Sequence, residues 1–116
     1  MTSLRTASSP AGAREGSLLR RDGQPVGYAF VSASGSGPAA ALDPDDMPAI
    51  LGHVEARVSQ LGVGKLELEV PGINAVAIRH LLARGFRIDP WINLLMSSRP
   101  FGQLDRYIGY SPPVFL

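Results

Sequence analysis

Apolar residues at Met47, Ile50, Leu51, Val54, Val58 and Leu61 fall at intervals that place all six on one side of a helix. This stripe constrains the chain more than any other feature. A helix with one apolar side is marginal alone in water and must bury that side against a second layer. Its start is marked by Asp45 and Asp46 as candidate N-caps, with Asp46 the plain helix cap. Pro48 sits in the first turn, where its missing N–H breaks no helical bond. Gly62 and Gly64 mark its end.

The second layer is predicted from extended segments. Residues 65–70 alternate strictly, with Leu66, Leu68 and Val70 on one side and Lys65, Glu67 and Glu69 on the other, which predicts a strand. Pro71-Gly72 stops it. Asn74 predicts the cap of a second helix that turns Val76, Ala77, Leu81 and Leu82 inward, with Arg84 in its last turn and Gly85 just beyond. Upstream, residues 17–21 and 25–32 predict two strands around Asp22-Gly23, a dipeptide suited to a hairpin because glycine accepts positive φ. Residues 39–42 predict a short third strand, and 86–88 and 91–97 two more, bent at Asp89-Pro90. The aromatic tail that follows is expected to pack back on the domain. The resulting order, β-β-β-α-β-α-β-β, is an α+β domain over 17–116. Residues 1–16, which are Ser, Ala, Gly and Arg with little apolar content, predict a disordered tail. That Arg-rich, acid-poor stretch also suits an organelle transit peptide.

Composition narrows the function classes. Of the 116 residues, 45% are hydrophobic and 18% charged, which suits one globular domain. The net charge of +1 gives no field directed at nucleic acid or an anionic membrane. No apolar run approaches the length of a membrane span. Without cysteine there is no thiolate chemistry, and the chain fits a cytoplasmic, reducing compartment. No pair of histidines or carboxylates has a metal-binding spacing, so no metal is expected. His53 lies off the helical stripe and is expected in solvent. His80 is expected half-buried with a hydrogen bond.

The stretch Glu69-Val70-Pro71-Gly72-Ile73-Asn74 through Ala77 and Leu81 to Gly85-Phe86 resembles the GNAT N-acetyltransferase superfamily. Asn74, Ala77, Gly85 and Phe86 fall at the family spacing, and three strands followed by a helix stand upstream. The end of the chain, from Arg99-Pro100-Phe101-Gly102 to Phe115-Leu116, resembles the C-terminus of larger members. The resemblance implies a GNAT-like fold with a mixed, mainly antiparallel sheet and two helices, lacking the N-terminal strand and the first two helices of the full fold. It implies that acetyl-CoA would lie in a splay between the fourth and fifth strands. Ala41, Leu42, Val70 and Asn74 are the residues it places against that cofactor. A Gly-rich turn before the long helix would hold the pyrophosphate, and a tyrosine on the later helix would protonate the departing thiolate.

The chain departs from that pattern. Asp43-Pro44-Asp45-Asp46 stands where the Gly-rich turn belongs, and three carboxylates there repel a pyrophosphate. Leu81 occupies the tyrosine position and cannot donate a proton; Tyr107 or Tyr110 of the tail would have to substitute. No catalytic residue is assigned, and acetyl-CoA is expected to bind weakly or not at all. The expected role is that of a degenerate acetyltransferase-like domain with a structural or regulatory interaction function, as a homodimer or docked on a companion acetyltransferase domain. The alternative is an active N-acetyltransferase moving acetyl from acetyl-CoA to an amine, its site completed by a second chain or domain.

Overall fold

The computed structural model describes residues 2–8, 14–32 and 36–109. Its first strand, β1 (Thr2–Ser8), runs antiparallel to β2 (Glu15–Arg21), with Leu4 opposite Leu19 and Ser8 opposite Glu15. This corrects the expected disordered tail over 2–8 and 14–16; residues 1 and 9–13 lie outside the described residues. The reason is that a ladder forms between backbone groups. A segment poor in apolar side chains can still pair with a free strand edge. No helix precedes residue 44 among the described residues.

Asp22 and Gly23 both take positive φ, 53° and 79°, as a tight primed turn requires. They join β2 to β3 (Gln24–Val31), which pairs in turn with β4 (Ala39–Ala41). The chain then makes a 3-10 turn over Pro44–Asp46 and enters α1 (Met47–Gln60). After α2 (Ala75–Ala83) it returns to form β5 (Tyr107–Ile108) on the far side of β4. The sheet order is β1-β2-β3-β4-β5 and every pairing is antiparallel, so the mixed sheet expected from the resemblance is not found.

The core lies between α1 and one face of this sheet. Met47, Ile50, Leu51, Val54 and Val58 are buried on the helix, against Leu19, Ala29, Val31, Ala39, Ala41 and Ile108. Leu61 drops out of the stripe because it caps the helix and stands in solvent. Asp46 makes no capping bond. It pairs with Arg21 at 2.7 Å, while Asp43 Oδ1 accepts from the Asp45 amide and caps the 3-10 turn. α2 is capped as expected, with Asn74 Oδ1 accepting from the Ala77 amide at 3.2 Å. Ala77 and Leu81 are buried, and Leu82 is exposed.

The strand predicted at 65–70 does not form. Leu66, Leu68 and Val70 do turn toward the core, but the segment makes a single bridge, Glu69 to Gly109, and no ladder. Alternation fixes which side chains face inward and says nothing about whether an edge is present to pair with. The strands predicted at 86–88 and 91–97 are likewise absent; Phe86 packs half-buried on the core, and from residue 87 the stretch runs exposed over the surface.

Candidate functional site

The candidate site is the gap between β4 and the segment 65–70, where the resemblance puts an acyl carrier. The chain itself fills this gap. Ala39 and Ala40 of β4 pair with Ile108 and Tyr107, and on the opposite side the Gly109 amide donates to the Glu69 carbonyl at 2.8 Å. Residues 107–109 therefore lie as a strand between the two walls. Tyr107 and Ile108 are buried.

Two of the four predicted cofactor residues, Asn74 and Leu42, contact this inserted strand or the turn before it. Asn74 is fully buried, and its Nδ2 donates to the Tyr107 carbonyl at 3.1 Å while its Oδ1 caps α2. The Leu42 carbonyl accepts from Arg106 Nη1 at 2.9 Å, and the Leu42 amide donates to the Val26 carbonyl, although the Leu42 side chain is exposed. Ala41 is buried and paired with Gly27 of β3, leaving its neighbour Ala40 to meet Tyr107. Val70 packs half-buried on the core, one residue beyond the bridge at Glu69.

Tyr107, a candidate substitute proton donor, lies on the sheet face opposite α1. The register sets Leu18, Tyr28, Ala40 and Tyr107 side by side across four strands. Tyr28 also meets Phe30 edge-on, with centroids 5.9 Å apart. Burial, with a smaller contribution from Tyr107, raises the pKa of the Tyr28 phenol and keeps it protonated. Tyr110 lies outside the described residues.

The turn before α1 closes on itself. The Asp45 amide donates to the Asp43 side chain, the Asp46 amide to the Asp43 carbonyl, and the Met47 amide to the Pro44 carbonyl. Three amides that an anion cradle would direct outward are thus already used, beneath three carboxylates.

Away from this gap the structure assembles a polar cluster that no sequence spacing announces. Arg57 of α1 holds Glu15 of β2 with two bonds, Nε to Oε1 at 2.9 Å and Nη2 to Oε2 at 2.6 Å. Beside them His53 Nε2 and the buried Ser17 Oγ share a hydrogen bond of 3.0 Å. His53 is half-buried, which corrects the expected solvated histidine. These partners are 36 and 42 residues apart in sequence, so only the packing of α1 on the sheet joins them. His80 is half-buried as expected, but its Nε2 is buried with no hydrogen-bond partner among the described residues.

Burial lowers the pKa of His53, Arg57 lowers it further, and Glu15 opposes them. A histidine with a folded pKa below its ordinary value favours the neutral form in the native state. Its contribution is complete above the unfolded pKa, about 6.5, and is lost as pH falls through the folded value. Urea midpoints are therefore expected to fall as pH drops below about 6.5, and His53→Gln to flatten that decline. Equal declines in the two chains would show that another group is responsible. Glu55 and Asp105 are held below their ordinary values by hydrogen bonds from Arg84 and Arg106, and their loss belongs to a more acid window.

Among the described residues, no helix is long and apolar enough to cross a membrane. No three His, Cys, Asp or Glu residues among them are grouped to hold a metal ion. None of the protein-family models, curated proteins or solved structures compared with the chain matches it.

Proposed function

We propose that this chain is a non-catalytic, GNAT-like domain whose acyl-carrier gap is closed by its own residues 104–109, and that it acts through a binding surface. The observation that carries this reading is the strand 107–109 held between Ala39–Ala40 and Glu69. A pantetheine arm in that gap would have to displace two backbone pairings and the bond from Asn74 to the Tyr107 carbonyl. Leu81, at the position of the proton donor, is buried core. In the acidic turn at residues 43–46, the Asp45 and Asp46 amides are already bonded within the turn and Pro44 has none to give.

Calorimetric titration with acetyl-CoA at near-millimolar concentration tests the reading. The expected result is no saturable heat. A dissociation constant in the low micromolar range, with Asn74 or Leu42 amide resonances moving on addition, would overturn it and favour an active acetyltransferase.

A further inference from the structure

Among the described residues, most of the exposed large apolar side chains lie outside the closed gap, on the stretch between α2 and the 3-10 turn at Leu104–Arg106. From residue 90 to 98 the sequence carries no ionisable side chain. Its alternation still sets two sides apart. Ile92, Leu94 and Met96 are 81%, 84% and 79% exposed, whereas Leu95 on the other side is 49% exposed. Asn93, also on that inner side, bonds to Glu69 through Nδ2 at 3.3 Å and ties the segment to the domain. Trp91 is 89% exposed. Among the described residues, no backbone group from 87 to 97 is bonded to another backbone group.

We propose that residues 91–96 are the interface between two copies of this chain, each segment pairing with its counterpart as an antiparallel strand about a two-fold axis. The proposal rests on the reading that the chain works through a surface, and it names the surface and the partner. Two observations favour a second copy over a different protein. The segment has no charge, so it meets itself without repulsion and offers a charged partner nothing to recognise. An antiparallel pair with two-fold symmetry sets the same row, Ile92, Leu94 and Met96, beside its counterpart on one face, and closes one unpaired edge of each copy.

The only tryptophan stands exposed at the start of this segment, so its fluorescence reports pairing of the segment. Sedimentation of the full chain at micromolar concentration is expected to give twice the monomer mass. Trp91 emission is expected at short wavelength, moving to long wavelength on dilution. Leu94→Lys is expected to sediment as a monomer with unchanged far-UV circular dichroism and long-wavelength emission at every concentration. A wild-type monomer overturns the proposal, and so does a polydisperse assembly or a Leu94→Lys chain that still dimerises. Short-wavelength emission from a monomer also overturns it, since the chain would then cover the segment itself. If Leu94→Lys loses its circular dichroism, the dilution series on the unsubstituted chain decides alone. Acetyl-CoA binding does not enter this test, so a dimer that binds acetyl-CoA tightly would sink the non-catalytic reading and leave the interface standing.

Discussion

Asn74→Ala is expected to destabilise the domain by about 1.5–2.5 kcal/mol, because one side chain holds two elements. Its Oδ1 caps α2 at the Ala77 amide, and losing such a cap costs about 1 kcal/mol. Its Nδ2 donates to the carbonyl of buried Tyr107, and losing such a hydrogen bond costs about 0.5–1.5 kcal/mol. The loss is unequal in space. Residues 107–109 keep their pairings to β4 and Glu69 but lose the bond that fastens them to α2. Urea denaturation is expected to show the full loss, and amide exchange at Ile108 and Gly109 to speed up more than exchange in β3. Asn74→Asp separates the two parts: the carboxylate still caps α2, but it cannot donate to the Tyr107 carbonyl and repels it. An Asn74→Ala change below about half a kcal/mol would mean that 107–109 is not seated against α2.

Gly27→Ala is expected to cost about 3 kcal/mol, the upper end of what overpacking usually does. A Cβ at residue 27 would stand 2.5 Å from the Ala40 carbonyl oxygen and 2.6 Å from Ile50 Cδ1. The second clash is with the end of a side chain that can rotate, although Ile50 is fully buried and has little room. The first is with backbone. Relieving it means moving β4 away from β3, and β4 is the strand that carries Tyr107 and Ile108 on its other edge. Ile50→Val removes the terminal methyl and leaves the Ala40 clash, so adding it to Gly27→Ala is expected to restore little. Thermal unfolding of the single and double variants checks this. Full recovery in the double variant would show that the helix, and not the sheet, excludes a side chain at residue 27.

The two helices and the central hairpin were legible because their signals are local. The stripe from Met47 to Val58 is a period of one helix, and the Asn74 cap reaches three residues ahead. Asp22-Gly23 turns the chain within itself. The inward side of 65–70 was legible for the same reason, since Leu66, Leu68 and Val70 alternate whatever their backbone pairs with. Of the residues the resemblance placed at the candidate site, Asn74 and Leu42 meet the tail at Tyr107 and Arg106, contacts that no spacing in the sequence announces. The partnership of His53 with Ser17, and of Arg57 with Glu15, leaves no trace in spacing.

By itself, then, the sequence determined the α+β class, the positions of α1 and α2, the hairpin and the residues that turn inward. Only the tertiary structure decided which backbone edges pair. β1 joined β2 without an apolar face, 65–70 received one bridge instead of a ladder, and 107–109 took the edge of β4. Periodicity, capping and turn chemistry act over a few residues and are written in neighbouring side chains. Strand pairing is a competition among distant segments for the same N–H and C=O groups, which every residue carries alike, and it is settled when the chain is brought together.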